Sequence, residues 1–135
     1  MAEDIFITAA ARTPMGSFQG ALSDLTAPEI GGTAIAAVLD QQSLDKTLID
    51  EVIMGCVLPA GLGQAPARQA SFAGGISESV PCSTVNKMCG SGMKAVMLGY
   101  DQIKAGGADI IIAGGMESMS NAPYLSSKAR DGARI

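Results

Sequence analysis

The residues of this chain best suited to chemistry run Val85-Asn86-Lys87-Met88-Cys89-Gly90-Ser91-Gly92-Met93. A thiol attacks as its anion, so a nucleophilic cysteine needs a setting that stabilises negative sulfur, N–H donors close by, and room for the incoming group. Residues 82–86 read as a strand entering from Pro81. Beyond the cysteine, Met93, Val96, Met97, Tyr100 and Ile103 recur at three- and four-residue steps, the helical period. Cys89 therefore falls at or beside a helix N-terminus, where unpaired amides and the positive end of the helix dipole favour an anion. Gly90 and Gly92 carry no side chains, which lets another molecule approach the backbone. The competing reading is a small core hydrophobe, the usual fate of an unpaired cysteine. Two glycines at a helix start weigh against it, because they are poor helix formers.

The elements that must position Cys89 follow from periodicity. Residues 5–11 read as a buried strand that runs into a turn-rich loop, Arg12-Thr13-Pro14-Met15-Gly16. Arg12 is a candidate for holding an anion, although an arginine after a strand more commonly makes a structural ion pair. Thr26 with Glu29 three residues on forms a capping-box pattern, and Pro28 suits a first turn. The helix it opens extends to about Gln41, and residues 43–49 add a further helical turn. A second apolar strand covers residues 51–58, and a short helix covers 65–73 before Gly74-Gly75. The cysteine helix is expected from Cys89 to about Ala105. Its first half, residues 92–99, has Lys94 as its one charge and reads as buried nearly all round. Residues 108–113 form the last strand.

The order is thus β-α-β-α-β-α-β. Apolar strands alternating with helices predict an α/β fold, a mostly parallel sheet with helices on both faces. Ligands of such sheets bind beyond the carboxyl ends of the strands. Cys89 follows one of those ends, which supports the nucleophile independently of its local sequence. From residue 120 the periodicity stops and the chain becomes loop-like and locally basic.

Composition removes several classes of function. At 135 residues the chain has the length of one domain, and 47% hydrophobic with 16% charged residues is too apolar for disorder. A net charge of −4 without a basic stripe argues against nucleic acid as partner. There is no histidine, so a His-based triad and a His-ligated metal are excluded within these residues. Cys56, Cys82 and Cys89 form no C-x-x-C pair, and no metal site is expected. Their odd number and the acidic start, Met1-Ala2-Glu3-Asp4, fit a reducing, cytoplasmic setting. No apolar run reaches membrane-spanning length, so no membrane partner is expected. Gly90-x-Gly92 lacks the third glycine of a dinucleotide fingerprint, with Ala95 in its place, and the scattered methionines are more simply core filling than a soft-metal site.

Taken together, four stretches resemble the thiolase family. They are Ala10-Ala11-Arg12-Thr13-Pro14-Met15-Gly16-Ser17-Phe18, Val85-Asn86-Lys87-Met88-Cys89-Gly90-Ser91-Gly92, Ala113-Gly114-Gly115-Met116-Glu117-Ser118-Met119-Ser120, and Lys128-Ala129-Arg130. The Cys-Gly-Ser-Gly form is most similar to the acetyl-CoA acetyltransferase branch. The resemblance implies a reversible Claisen condensation in which acetyl-CoA and acetoacetyl-CoA are substrates, with no resident cofactor. It implies that Cys89 takes the acyl group as a thioester, its own backbone N–H helping to hold the oxyanion. It also implies a second cysteine and an activating histidine from a later part of the protein, and a homo-oligomer, dimer or tetramer.

The resemblance further divides the chain into a nucleophile-bearing core, residues 1–119, and the start of a loop domain, residues 120–135. Cys56 and Cys82 precede the nucleophile and match neither later cysteine. The core is expected to be incomplete, its last strand coming from after the loop domain. The chain then reads as an N-terminal segment, inactive without its C-terminal part. Rival readings are a condensing enzyme for longer 3-ketoacyl-CoA, a non-catalytic interaction domain with an unsatisfied sheet edge, and a thiol redox sensor built on Cys89.

Overall fold

The computed structural model describes residues 4–132. Three helices and three strands carry the architecture: α1 (Ala27–Gln42), β1 (Glu51–Gly55), α2 (Pro66–Ala73), β2 (Cys82–Val85), α3 (Ser91–Lys104) and β3 (Ile111–Gly115). The sheet is parallel throughout, in the order β2-β1-β3, with Val52 level with Cys82 and Ile112, and Gly55 level with Val85 and Gly115.

Strand alternation sends the two faces of β1 to different helices. Val52 and Met54 join Ile35, Leu39, Ala67 and Ala70 in the core beneath α1 and α2. Gly55 faces the other way, onto the start of α3, where a Cβ would come within 2.5 Å of the Ser91 carbonyl carbon. Gly99 brings α3 down onto Ile111 and Ala113 of β3 in the same manner. The sheet is therefore covered on both faces, as its apolar strands require.

α1 begins where the sequence places it. The Glu29 carboxylate accepts from the backbone N–H and the hydroxyl of Thr26, each at 2.7 Å. These bonds, the backbone one foremost, hold the Glu29 carboxyl below its usual pKa. Beyond α1, Lys46–Leu48 makes a 3-10 turn capped by Asp45.

Several expectations need correction. Residues 5–11 are not a buried strand: they pair with none of β1, β2 and β3, and Phe6 and Ile7 are 76% and 82% exposed. An apolar run signals that burial is available, but a strand also needs a neighbouring edge for its N–H and C=O groups. The order within the described residues is therefore α-β-α-β-α-β, without the leading strand. The β1 ladder stops at Gly55, so residues 56–58 are loop. β3 starts at Ile111, because the Asp50 carboxylate takes the N–H groups of Asp109 and Ile110 ahead of the ladder. α3 starts at Ser91, two residues after Cys89. Residues 92–99 are not buried all round: Ala95 and Gly99 face the sheet, whereas Met93 is 74% and Met97 52% exposed. Low charge on a helix does not imply that every face has a neighbour.

The proposed second domain from residue 120 lies partly outside the described residues. The described residues near and beyond that boundary form 3-10 turns at Met119–Asn121 and Ala129–Asp131. The first of these turns is tied back to the early loop, as Asn121 donates to the carbonyls of Ser23 and Leu25. No helix among the described residues is long and apolar enough to cross a membrane.

Candidate functional site

The carboxyl ends of the three strands meet at one edge, and three short connections leave from it. β1 runs into Cys56-Val57-Leu58, β2 into Asn86-Lys87-Met88-Cys89-Gly90, and β3 into Met116-Glu117-Ser118. The sequence-predicted nucleophile is on the second. Cys89 is an exposed free thiol one residue before the N-cap, Gly90. Cys82 is half-buried on β2 and Cys56 is buried, so the three thiols differ sharply in access.

Local bonding makes the β2 connection a tight turn. Gly90 N–H donates to the Lys87 carbonyl at 3.1 Å and Ser91 N–H to the Met88 carbonyl at 3.0 Å. The Asn86 side chain accepts from Met88 N–H at 3.0 Å and donates to the Val57 carbonyl at 3.3 Å. The Ser91 hydroxyl, buried under the turn, accepts from Lys87 N–H at 2.8 Å and donates to the Met88 carbonyl at 2.6 Å. Met88 has φ of 51°, in the left-handed region.

The two glycines predicted to open the site play different parts. A Cβ on Gly90 would meet only Lys87, at 3.5 Å or more, so the surface beside the thiol is open there. Gly92 instead rests against Gly115 at the crossing of α3 and β3, which makes it a packing residue. Arg12 stands exposed on the early loop, where its guanidinium donates to the Met15 sulfur at 3.1 Å and faces no anion among the described residues.

Glu117 is the functional-edge residue that motif reading left without a role. Its carboxylate accepts from Val57 N–H and Leu58 N–H, both at 3.0 Å, and from the Cys56 thiol at 3.6 Å. It thereby ties the β3 connection to the β1 connection. Burial, and then the nearby Glu117 charge, push the Cys56 thiol up to about 11. Cys56 is thus a neutral donor at ordinary pH, while Cys89 stands free. The one signal in the sequence was position: an acid two residues past a strand end can reach the amides of a neighbouring loop.

A groove of about 480 Å³ lies under α3, between Leu98 and the strand residues Ile53 and Val85. Two acids line it, Glu51 and Asp101; Glu51 already accepts from Ser83 at 2.8 Å and Gln102 at 2.6 Å, and no lining residue comes from the Cys89 turn.

The chain is thus a parallel α/β protein with an accessible thiol beyond its strand ends, the edge where sheets of this kind bind ligands. Residues 5–135 match the family model described as thiolase, N-terminal domain, and the chain belongs to the thiolase family. Among its relatives, acetyl-CoA acetyltransferase 2 of Arabidopsis thaliana is 54% identical over 98% of this chain and 33% of its own length. The acetyl-CoA acetyltransferase of Pseudomonas aeruginosa is 51% identical over 98% of this chain and 34% of its own. That of Saccharomyces cerevisiae is 52% identical over 100% of this chain and 34% of its own. The chain spans about a third of the length of the curated relatives it matches.

Proposed function

We propose that this chain carries the acyl-accepting cysteine of an acetyl-CoA acetyltransferase. The observation that carries the reading is the exposed Cys89 thiol at the carboxyl end of β2, immediately before the N-cap of α3. The names of relatives about half identical to the chain supply the substrate. In this reading Cys89 Sγ attacks the thioester carbonyl of acetyl-CoA. An S–C bond forms to the acetyl group, the carbonyl C–S bond to coenzyme A breaks, and coenzyme A leaves as a thiol with the proton. Coenzyme A thioesters are substrates here, not cofactors.

In this reading the base that takes the Cys89 proton is a histidine, which these 135 residues lack, and the second cysteine of the condensation cycle is neither Cys56 nor Cys82. Residues 120–135 open a second domain in this reading, and the complete protein is a homo-oligomer of the cytoplasm. Alone, the chain should remain unacetylated by acetyl-CoA.

The test fuses residues 1–135 to the C-terminal two thirds of the Pseudomonas aeruginosa relative and maps acetyl groups by peptide mass after addition of acetyl-CoA. The expected result is acetylation at Cys89, abolished by Cys89→Ser. Acetylation at Cys82, or none where the relative's own N-terminal third is acetylated in the same fusion format, overturns the reading. Offering longer acyl thioesters to the same fusion separates acetyl transfer from a broader chain-length preference.

A further inference from the structure

We infer that Ser91, with Asn86, is a positioning residue that holds the Cys89 thiol out at the mouth of α3 by clamping a left-handed turn at Met88. The inference rests on Cys89 being the reacting group. Met88 adopts φ of 51°, a region that L side chains other than Asn and Asp rarely enter, and it does so one residue before the nucleophile. A methionine has no side-chain group to stabilise that conformation, so the surrounding contacts must hold it. Two side chains do so. The Ser91 hydroxyl bonds both ends of the Lys87–Met88 segment, accepting from Lys87 N–H at 2.8 Å and giving its proton to the Met88 carbonyl at 2.6 Å. The Asn86 amide takes Met88 N–H at 3.0 Å and is anchored to the Val57 carbonyl at 3.3 Å.

The clamp is itself immobilised. Ser91 is 4% exposed and pressed against Gly55, where no Cβ fits. The peptide whose Val57 carbonyl receives Asn86 is held from its other side, where its Leu58 N–H donates to the Glu117 carboxylate at 3.0 Å. Bonds from all three strand ends thus converge on the conformation of one exposed methionine. Packing does not explain this arrangement, since Met88 is 67% exposed and buries little. Without the clamp, Met88 relaxes toward negative φ. The following peptide then turns, and the thiol leaves its exposed place ahead of the Gly90 N-cap of α3.

Iodoacetamide alkylation of the 135-residue chain at neutral pH, followed residue by residue with peptide mass, reads the position of Cys89. Ser91→Ala is expected to slow alkylation of Cys89 by about threefold or more, the scale of losing a helix-terminus interaction, with Cys82 unchanged. Glycine enters positive φ freely, so adding Met88→Gly to Ser91→Ala is expected to restore the rate. A role confined to packing under α3 would not respond to a change at Met88. Asn86→Ala should slow Cys89, and Asn86→Asp, which keeps an acceptor for Met88 N–H, should recover part of the rate. These two variants carry the test if Ser91→Ala loses its circular-dichroism signature.

Cys89 rates within twofold of wild type in the folded single variants, or no restoration by Met88→Gly, overturn the inference. The alkylation ratios do not depend on what Cys89 reacts with in the cell. A failure of acetyl transfer in the fusion would therefore sink the acyltransferase reading while these ratios still judge the clamp.

Discussion

Two cysteines at the same edge of the sheet have opposite characters, and the difference lies in what surrounds each sulfur. Cys89 is exposed beside an open glycine, whereas Cys56 is buried and donates to Glu117. Burial and the Glu117 charge raise the Cys56 thiol from 9.0 to about 11. A raised folded pKa favours the folded state fully below the unfolded value and less as pH climbs through the folded one. Stability of the chain should therefore fall between pH 9 and 11 more steeply than that of Cys56→Ala, measured as urea midpoints across that range. Glu117→Gln removes one cause of the shift and should move the end of this window to lower pH. Glu117→Ala should cost more, about 1–3 kcal/mol, because Val57 and Leu58 lose the acceptor for two N–H groups. At this scale residue type, spacing and strand order placed Cys89 beyond a strand end and ahead of a helix, and the structure has it exposed at that position. The sequence left Ser91, Asn86 and Glu117 silent, because their importance lies in which amides they reach, and periodicity does not encode hydrogen-bond partners.

Among the elements, helices with a start signal were legible and strand limits were not. Thr26 and Glu29 mark the start of α1 by local chemistry alone, and the cap bonds of 2.7 Å form as that chemistry dictates. Strand ends depend on neighbours instead. β1 stops at Gly55 and β3 begins only after Asp50 has taken the Asp109 and Ile110 amides, contacts 59 and 60 residues apart in the chain. The leading apolar run failed as a strand for the same reason: no edge of the described sheet receives it. Gly55 shows how one element positions the next, since the start of α3 sits directly on it. Gly55→Ala would force the Ser91–Gly92 backbone away, with contacts of 2.5 and 2.6 Å to atoms that cannot rotate aside. Destabilisation by about 1–3 kcal/mol is expected from overpacking of this kind, together with altered Cys89 alkylation, because the clamp residue Ser91 is displaced with the helix. A variant with wild-type melting and wild-type Cys89 reactivity would show that α3 does not depend on this contact.

Across the whole molecule, the distribution of apolar surface follows from which faces the described residues can cover. α3 presses Ala95 and Gly99 onto the sheet, while Met93, Val96, Met97 and Tyr100 form a stripe on its outer side, each at least 43% exposed. Sequence periodicity identified the stripe but assigned it to the interior, because spacing shows that residues share a face and not what the face meets. An uncovered stripe stabilises the folded chain little and favours association with other apolar surface. Met93→Gln with Met97→Gln should therefore change the unfolding free energy by no more than about 0.5 kcal/mol, the range of surface substitutions. It should also shift the isolated chain toward a smaller species in sedimentation velocity. On the opposite side of the same helix, Ala95→Leu should destabilise by about 1–3 kcal/mol, because Ala95 is 0% exposed against the sheet. If the glutamine pair instead unfolds the chain, the outer side of α3 is covered from within these 135 residues. If the pair is silent in both measurements, the stripe has neither an internal nor an external partner under those conditions.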